Sequence, residues 1–312
     1  MFKLIPSAPI TSANGFLAGA VHCGIKSDRK LDLAILYSEV PCTATGVFTT
    51  NRIKSAPVIL SQKRLSERQA RAIVVNSGCA NACVGEQGPA DALEMANLTA
   101  TKLGILTEDV LVASTGVIGM PLPMNCIRTG IREIELRQKG GHEFAKAMMT
   151  TDTKPKEVAV QVDTRGVKFA IAAVAKGAGM IHPNLATMLC FIATDASVNV
   201  DFLQSALRKA VDASFNMISI DGDTSPSDCV FLLANGLAGN PPISFDNGEA
   251  FQEALNEVCI YLAKSIAQDG EGATKLIEVT VEGAIKQAEA RQAARTIASS
   301  PLVKAAIHGN DP

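Results

Sequence analysis

At 312 residues, 47% of them hydrophobic and 19% charged, the chain can bury a large core and reads as one large or two modest globular domains. With 29 basic and 31 acidic residues the net charge is −2, and no basic run or basic-aromatic stripe interrupts the sequence, so nucleic acid is not an expected partner. No apolar run nears the ~20 residues that span a bilayer, and residues 1–21 lack a charged leader ahead of an apolar segment. A cytoplasmic protein with small polar substrates and no membrane partner is the expectation.

The first clear elements are short strands over 71–76 and 109–114, joined by a helix over 89–103 with Leu93, Ala96, Ala100 and Leu103 at helical spacing. Valine alternates over 158–162, Asp163-Thr-Arg-Gly166 supplies a turn, and 167–175 returns, which predicts a hairpin that presents Lys176. A strand is expected after residue 187, a helix from about 200 to 215, and a strand over 229–234. The next helix places Phe251, Ala254, Leu255, Val258, Leu262 and Ile266 on one face, and a last strand is expected over 276–281. Alternation of strands and helices is a mixed α/β pattern. Gly239-Asn-Pro-Pro242 reads as a turn rather than a domain linker.

Eight cysteines lie scattered in apolar or small-residue contexts, which predicts free buried thiols rather than disulfides. Cys79 and Cys83 form a C-x3-C pair with no histidine nearby at ligand spacing, so no metal is expected. There is no G-x-x-x-x-G-K-[ST] loop, and Gly177-Ala-Gly179 lacks the third glycine of a dinucleotide fingerprint. No cofactor is expected.

The segment Lys176-Gly-Ala-Gly-Met-Ile-His-Pro-Asn-Leu-Ala-Thr-Met188 sets Thr187 between a glycine-rich bend and an apolar run. If the bend strains the Ala186–Thr187 bond, the hydroxyl can attack the Ala186 carbonyl. Hydrolysis of the ester then frees an α-amine beside the same oxygen, uniting nucleophile and base in one residue. A threonine that merely opens a buried strand explains the same residues, and both readings stand on the residues alone.

The segment resembles the autoprocessing motif of the ornithine acetyltransferase family, the bifunctional glutamate N-acetyltransferases of arginine biosynthesis. Seven further blocks, in the same order, resemble that family: Val47-Phe-Thr-Thr-Asn-Arg52, Asn76-Ser-Gly-Cys-Ala-Asn-Ala-Cys83, Ser114-Thr-Gly-Val-Ile-Gly119, Thr150-Thr-Asp-Thr153, Asp221-Gly-Asp-Thr-Ser225, Asp269-Gly-Glu-Gly-Ala-Thr-Lys275 and Ser300-Pro-Leu-Val-Lys304. The similarity covers nearly the whole chain.

The resemblance implies an αββα sandwich, shared with DmpA-like aminopeptidases, cleaved into residues 1–186 and 187–312 that pair in an α2β2 assembly. It also implies ping-pong transfer of acetyl from N2-acetylornithine to glutamate through Thr187, with acetyl-coenzyme A as a further donor in bifunctional members. Thr115 and Gly116 take the oxyanion role by resemblance, in a block that by itself reads as a glycine turn. Thr153, Lys176 and Glu271 match substrate-binding positions: the lysine would meet a carboxylate, and the glutamate a cationic side-chain amine.

Asp221-Gly-Asp-Thr-Ser-Pro-Ser-Asp228 is dense in acids and hydroxyls, and turn formation accounts for that composition, so these residues stay outside the catalytic set. The chain departs from the family pattern at Ala178, Leu185, Cys79 and Pro226-Ser227, where relatives usually carry Ser, Met, Asn and Thr-Asn. Relatives continue past an Asn-Trp-Gly-Arg segment into a C-terminal region that completes the substrate site, whereas this sequence stops at Pro312. Two other functions fit the motifs: a self-processing aminopeptidase with water as acceptor, and an inactive truncated remnant.

Overall fold

In the computed structural model, residues 2–164, 166–182 and 188–311 are described. In chain order the strands and helices are β1 (Phe2–Pro6), β2 (Phe16–Val21), β3 (Leu33–Phe48), α1 (Ala56–Arg64), β4 (Gln69–Cys79), α2 (Gln87–Leu103), β5 (Val110–Val117), α3 (Met124–Glu133) and α4 (Gly141–Met148). There follow β6 (Lys156–Thr164), β7 (Val167–Lys176), β8 (Leu189–Thr194), α5 (Val200–Ala213), β9 (Cys229–Ala234), α6 (Glu249–Gln268), α7 (Gln287–Ser299) and α8 (Pro301–Gly309).

Among the described residues the strands form one sheet in the order β1-β6-β7-β8-β9-β3-β4-β5, with β2 also on β3. Strand β3 joins its two halves. Residues 33–37 pair with β4, a register shift separates Tyr37 from Cys42, and residues 43–48 pair with β9. A bulge bends and twists a strand, which is how one long strand can serve two layers.

The side chains show those layers. On β4 and β5, Ala72, Val74, Val110 and Val112 pack on α2 and α3, while Ile73, Val75, Leu111 and Ala113 face the other way. On β7, β8 and β9, Ile171, Ala173, Cys190, Ile192, Val230 and Leu232 pack on α5 and α6, while Val174, Leu189, Phe191, Phe231 and Leu233 join Ile73 and Leu111 in a middle core. Period-two alternation therefore sends each strand's side chains to one middle and one outer core. The result is helices, sheet half, sheet half, helices: an αββα sandwich.

The hairpin of β6 and β7 is antiparallel as expected, although Arg165 of its turn lies outside the described residues. The side chain of Asn199 caps α5 by accepting from Asp201 N (3.0 Å) and Phe202 N (3.3 Å). All six apolar positions expected on one face of α6 are buried.

Two expectations are corrected. The buried face of α2 includes Ala92, Met95, Ala96, Thr99 and Ala100, with Met95 in the core cluster that holds Val110 and Val112 of β5, and Leu93 is exposed on the other side of the helix. Residues 276–281 form no strand. Ile277, Val279 and Val281 are half-buried and alternate with exposed neighbours, so the period is that of an extended chain, yet among the described residues no strand pairs with them in a ladder. All eight cysteines are free, and no described helix is long and apolar enough to cross a membrane.

Candidate active site

Strands β4 and β5 run parallel, and β7 ends at the same rim of the sandwich, so three glycine-containing or charged strand ends meet there. On β5, Thr115 shares its face with Leu111 and Ala113. On β7, Lys176 shares its face with Ala172 and Val174. Both side chains therefore point into the space between the two sheet halves, and Lys176 Nζ donates to Thr115 Oγ1 at 3.2 Å. Lys176 is 3% exposed. Burial pushes its ammonium below the usual lysine range, opposed by the negative charges of Asp152, Asp228 and Glu271.

Gly116 follows with φ +128°, opposite Gly78 in the ladder. A Cβ on Gly116 would lie 2.3 Å from the Gly78 carbonyl carbon, so any side chain here would push β4 and β5 apart. The neighbouring Asn76-Ser-Gly-Cys block is pinned from within. Ser114 Oγ donates to Asn76 Oδ1 (2.5 Å), Asn76 Nδ2 donates to the Cys79 carbonyl (2.9 Å), and the Ser77 hydroxyl donates to the Ala147 carbonyl.

A cleft of about 750 Å³ opens at this rim. Thr115, Gly116, Lys176 and Glu271 line it, together with Lys26, Thr150, Asp221 and Asp223. The Glu271 N–H donates to the Ala178 carbonyl (2.8 Å), and its carboxylate sits so close to Gly179 that a Cβ there would meet Oε1 at 2.6 Å. A side chain at position 179 would displace the Glu271 carboxylate from this place.

Thr153 is placed differently. Its N–H and hydroxyl both donate to the Asp269 carboxylate, the former at 3.0 Å, and it is not among the residues lining the cleft. Ala186 and Thr187 lie outside the described residues. The structure thus brings together Thr115, Gly116, Lys176 and Glu271, and ties Thr153 to the block that carries Glu271.

Several residues that motif reading passed over organise these five. Lys156, fully buried, donates to Asp152 Oδ1 and Asp269 Oδ2, both at 2.6 Å. Asp152 Oδ1 also accepts from Gly177 N (2.7 Å), and its Oδ2 accepts from Thr150 N (3.0 Å). Burial alone would raise the Asp152 carboxyl, but Lys176 and Lys156 hold it below its ordinary range. In the sequence, the two acids at 152 and 269 are signals within their blocks; the lysine that joins them carries none.

The Asp221–Asp228 loop does form the expected turn, with Asp223 N donating to Asp221 Oδ1 at 3.1 Å. It also grips both flanks of the glycine-rich segment. Asp221 accepts from Met180 N and from Ile181 N (2.8 Å), and Asp228 Oδ1 accepts from Met188 N (3.0 Å). Burial pushes the Asp228 carboxyl well above the usual range, against the Met188 N–H and the charge of Lys176. Thr49, from the first block, anchors this loop by donating its hydroxyl to the Ser225 carbonyl (2.8 Å) and its N–H to the Asp228 carbonyl (2.9 Å).

Comparison with known proteins identifies the family and the fold. A sequence model of the ArgJ family matches residues 17–312. The arginine biosynthesis bifunctional protein ArgJ of Dehalococcoides mccartyi is 58% identical over 313 residues, covering 99% of this chain and 77% of that protein. The crystal structure of ornithine acetyltransferase complexed with ornithine from Mycobacterium tuberculosis superposes with a TM-score of 0.57 at 39% identity, covering 59% of this chain and 98% of that one. At 13% identity and a TM-score of 0.50, the L-aminopeptidase D-Ala-esterase/amidase of Ochrobactrum anthropi covers 84% of this chain and 86% of its own, and shares the fold, described as a variant of the Ntn hydrolase fold. Motif order, the αββα layers and near-complete coverage by the family's sequence model agree: the chain belongs to the ArgJ family.

Proposed function

We propose that the chain moves the acetyl group of N2-acetylornithine to glutamate through an acetyl ester on Thr187, after its own cleavage between Ala186 and Thr187. The observation that carries this reading is the Lys176–Thr115 contact, which sets the Thr115-Gly116 turn and the strand leading to Thr187 in one cleft. Further support comes from the solved ornithine acetyltransferase chain: it is matched almost entirely by 59% of 312 residues, about 184, close to the length of 1–186.

Thr187 Oγ attacks the acetyl carbonyl carbon while its α-amine, with an ordinary pKa of about 7.7–8.0, takes the hydroxyl proton. The tetrahedral oxyanion is met by the Thr115 hydroxyl and the Gly116 N–H, donors of a kind that contribute about 2.7–4 kcal/mol each to such a transition state. The C–N bond breaks, the proton passes to the departing nitrogen, and ornithine leaves. The amine of glutamate then attacks the ester and Thr187 regains its proton. Lys176 receives the amino-acid carboxylate and Glu271 the side-chain amine of ornithine, while Thr153 acts through Asp269 to hold the Glu271 block. Acetyl-coenzyme A serves as an additional acetyl donor, and the cleaved halves pair as α2β2.

Intact mass spectrometry tests the cleavage. The native protein should give two masses divided before Thr187 and Thr187→Ala a single mass; two masses from that variant would refute the assignment. Tracing labelled acetyl to N-acetylglutamate supports transfer, and its release only as acetate would make the protein a hydrolase.

A further inference from the structure

Two ammonium groups line the cleft, and among the described residues neither has a carboxylate within ion-pair distance. Lys176 is one of them. The other is Lys26, half-buried in the loop between β2 and β3, whose Nζ donates to the Leu31 carbonyl (3.0 Å) and the Met149 carbonyl (2.7 Å). An ammonium carries three protons, so two carbonyls leave one to offer.

The acids nearest in sequence are engaged elsewhere. Asp32, fully buried, accepts from the N–H groups of Cys23 (2.7 Å), Gly24 (3.2 Å), Ile25 (2.8 Å) and Lys26 (3.0 Å), and lies 3.2 Å from His22 Nδ1. Asp28 pairs with Lys30 at 2.7 Å. Four backbone bonds to one carboxylate fix the loop, and the bond to Met149 ties it to the turn segment that opens with Thr150. The ammonium of Lys26 is therefore held in place at the cleft wall instead of extending into solvent. The charges of Asp32 and of Asp28, which also lines the cleft, act on this partly desolvated cation, but no carboxylate touches its ammonium, and an anionic ligand in contact offsets the remaining cost.

The reaction proposed above supplies the anion. Its two amino-acid substrates share an α-carboxylate but carry opposite side-chain charges, an amine on ornithine and a carboxylate on glutamate. Glu271, Asp221 and Asp223 on the cleft wall suit the first and repel the second. We propose that Lys26 receives the side-chain carboxylate of glutamate and so determines specificity in the acceptor half of the reaction, an inference that rests on the acetyl-transfer reading.

The test separates the half-reactions in the full-length protein. Lys26→Gln keeps an amide donor for the two carbonyls and removes the charge. It should raise KM for glutamate about tenfold or more, with the burst of ornithine from N2-acetylornithine and the melting temperature near their native values, and Lys26→Arg should recover most of the loss. An equal rise in KM for both substrates, or a glutamate KM within about twofold of the native value, overturns the assignment. If Lys26→Gln folds poorly, the native protein answers from the ligand side: glutamine, which lacks the charge, should be a poor acceptor, and equal use of glutamine and glutamate overturns the assignment. Absence of any ornithine burst from the native protein would instead overturn the acetyl-transfer reading.

Discussion

Lys156 and Lys176 stand side by side on the hairpin, Lys156 opposite Ala175 in the register, and are equally buried at 2% and 3% exposed. They differ in the face they occupy. Lys156 lies on the side of β6 that carries Val158 and Val160 toward α6, and it is enclosed by the carboxylates of Asp152 and Asp269 at 2.6 Å each. Lys176 lies on the side of β7 that faces the other sheet half, where its described partner is the Thr115 hydroxyl. A cation built into the framework brings its counter-ions with it; a cation built into a site leaves that place for a ligand. The same contrast applies to Lys26.

The largest effect should come from Lys156→Met. Removing the ammonium strands two buried carboxylates, and breaking a buried pair of this kind costs about 3–5 kcal/mol, measurable as a lowered denaturation midpoint. Lys176→Met should behave oppositely. It removes a buried ammonium that has no carboxylate in direct contact and is only partly offset by the charges of Asp152, Asp228 and Glu271, so stability should change by less than about 1 kcal/mol or increase, while acetyl transfer is lost. Equal destabilisation by the two variants would end the distinction drawn between framework and site.

The pH dependence gives a smaller and more pointed test. Burial tends to raise Asp152 and Asp269, yet the neighbouring lysines, with Thr153 at Asp269, hold both below their ordinary 3.8. Each carboxyl binds its proton less readily when folded than when unfolded, so its stabilising contribution is complete above pH 3.8 and is lost as pH falls through the folded value. In Lys156→Met the acid midpoint, followed by circular dichroism, should move upward. Lys176 has the opposite sense of charge: burial lowers it from 10.5, so the unfolded chain holds more protons between its folded value and 10.5, and stability rises with pH across that window. Binding of the amino-acid carboxylate should weaken over the same window, and KM measured there should climb before pH 10.5. A KM that stays flat to 10.5 would show that the charge on Lys176 is not used.

Much of the site was legible beforehand because glycine and charge leave local marks. Gly116 reads as part of a glycine turn and Gly179 as part of a glycine-rich bend, and the structure adds what each lies against, the Gly78 carbonyl and the Glu271 carboxylate. Lys176 stands at the end of a hairpin whose valine alternation is plain. Thr153 could be placed in a block but not given a contact, since nothing local says that its hydroxyl meets Asp269 from 116 residues away. Lys156 and Lys26 passed unnoticed because a lone lysine in a strand or loop looks the same whether it is solvated, paired or waiting for an anion. The composition of the loop at 221–228 marks it as a turn; its second task, holding Met180 and Met188 on either side of residues 181–187, needs the fold to be seen.

The pattern of apolar residues by itself located β4 to β9, α2, α5 and α6, because periods of two and 3.6 follow from backbone geometry and are written into those segments. The motif order by itself determined the family. Only the tertiary structure decided that β3 would bend at 37–42 and serve both layers, that residues 276–281 would extend without a strand partner, and which buried lysines would be neutralised. Those outcomes depend on ladders and ion pairs closed between residues far apart in the chain, and the free energy of such a contact belongs to the pair and not to either segment.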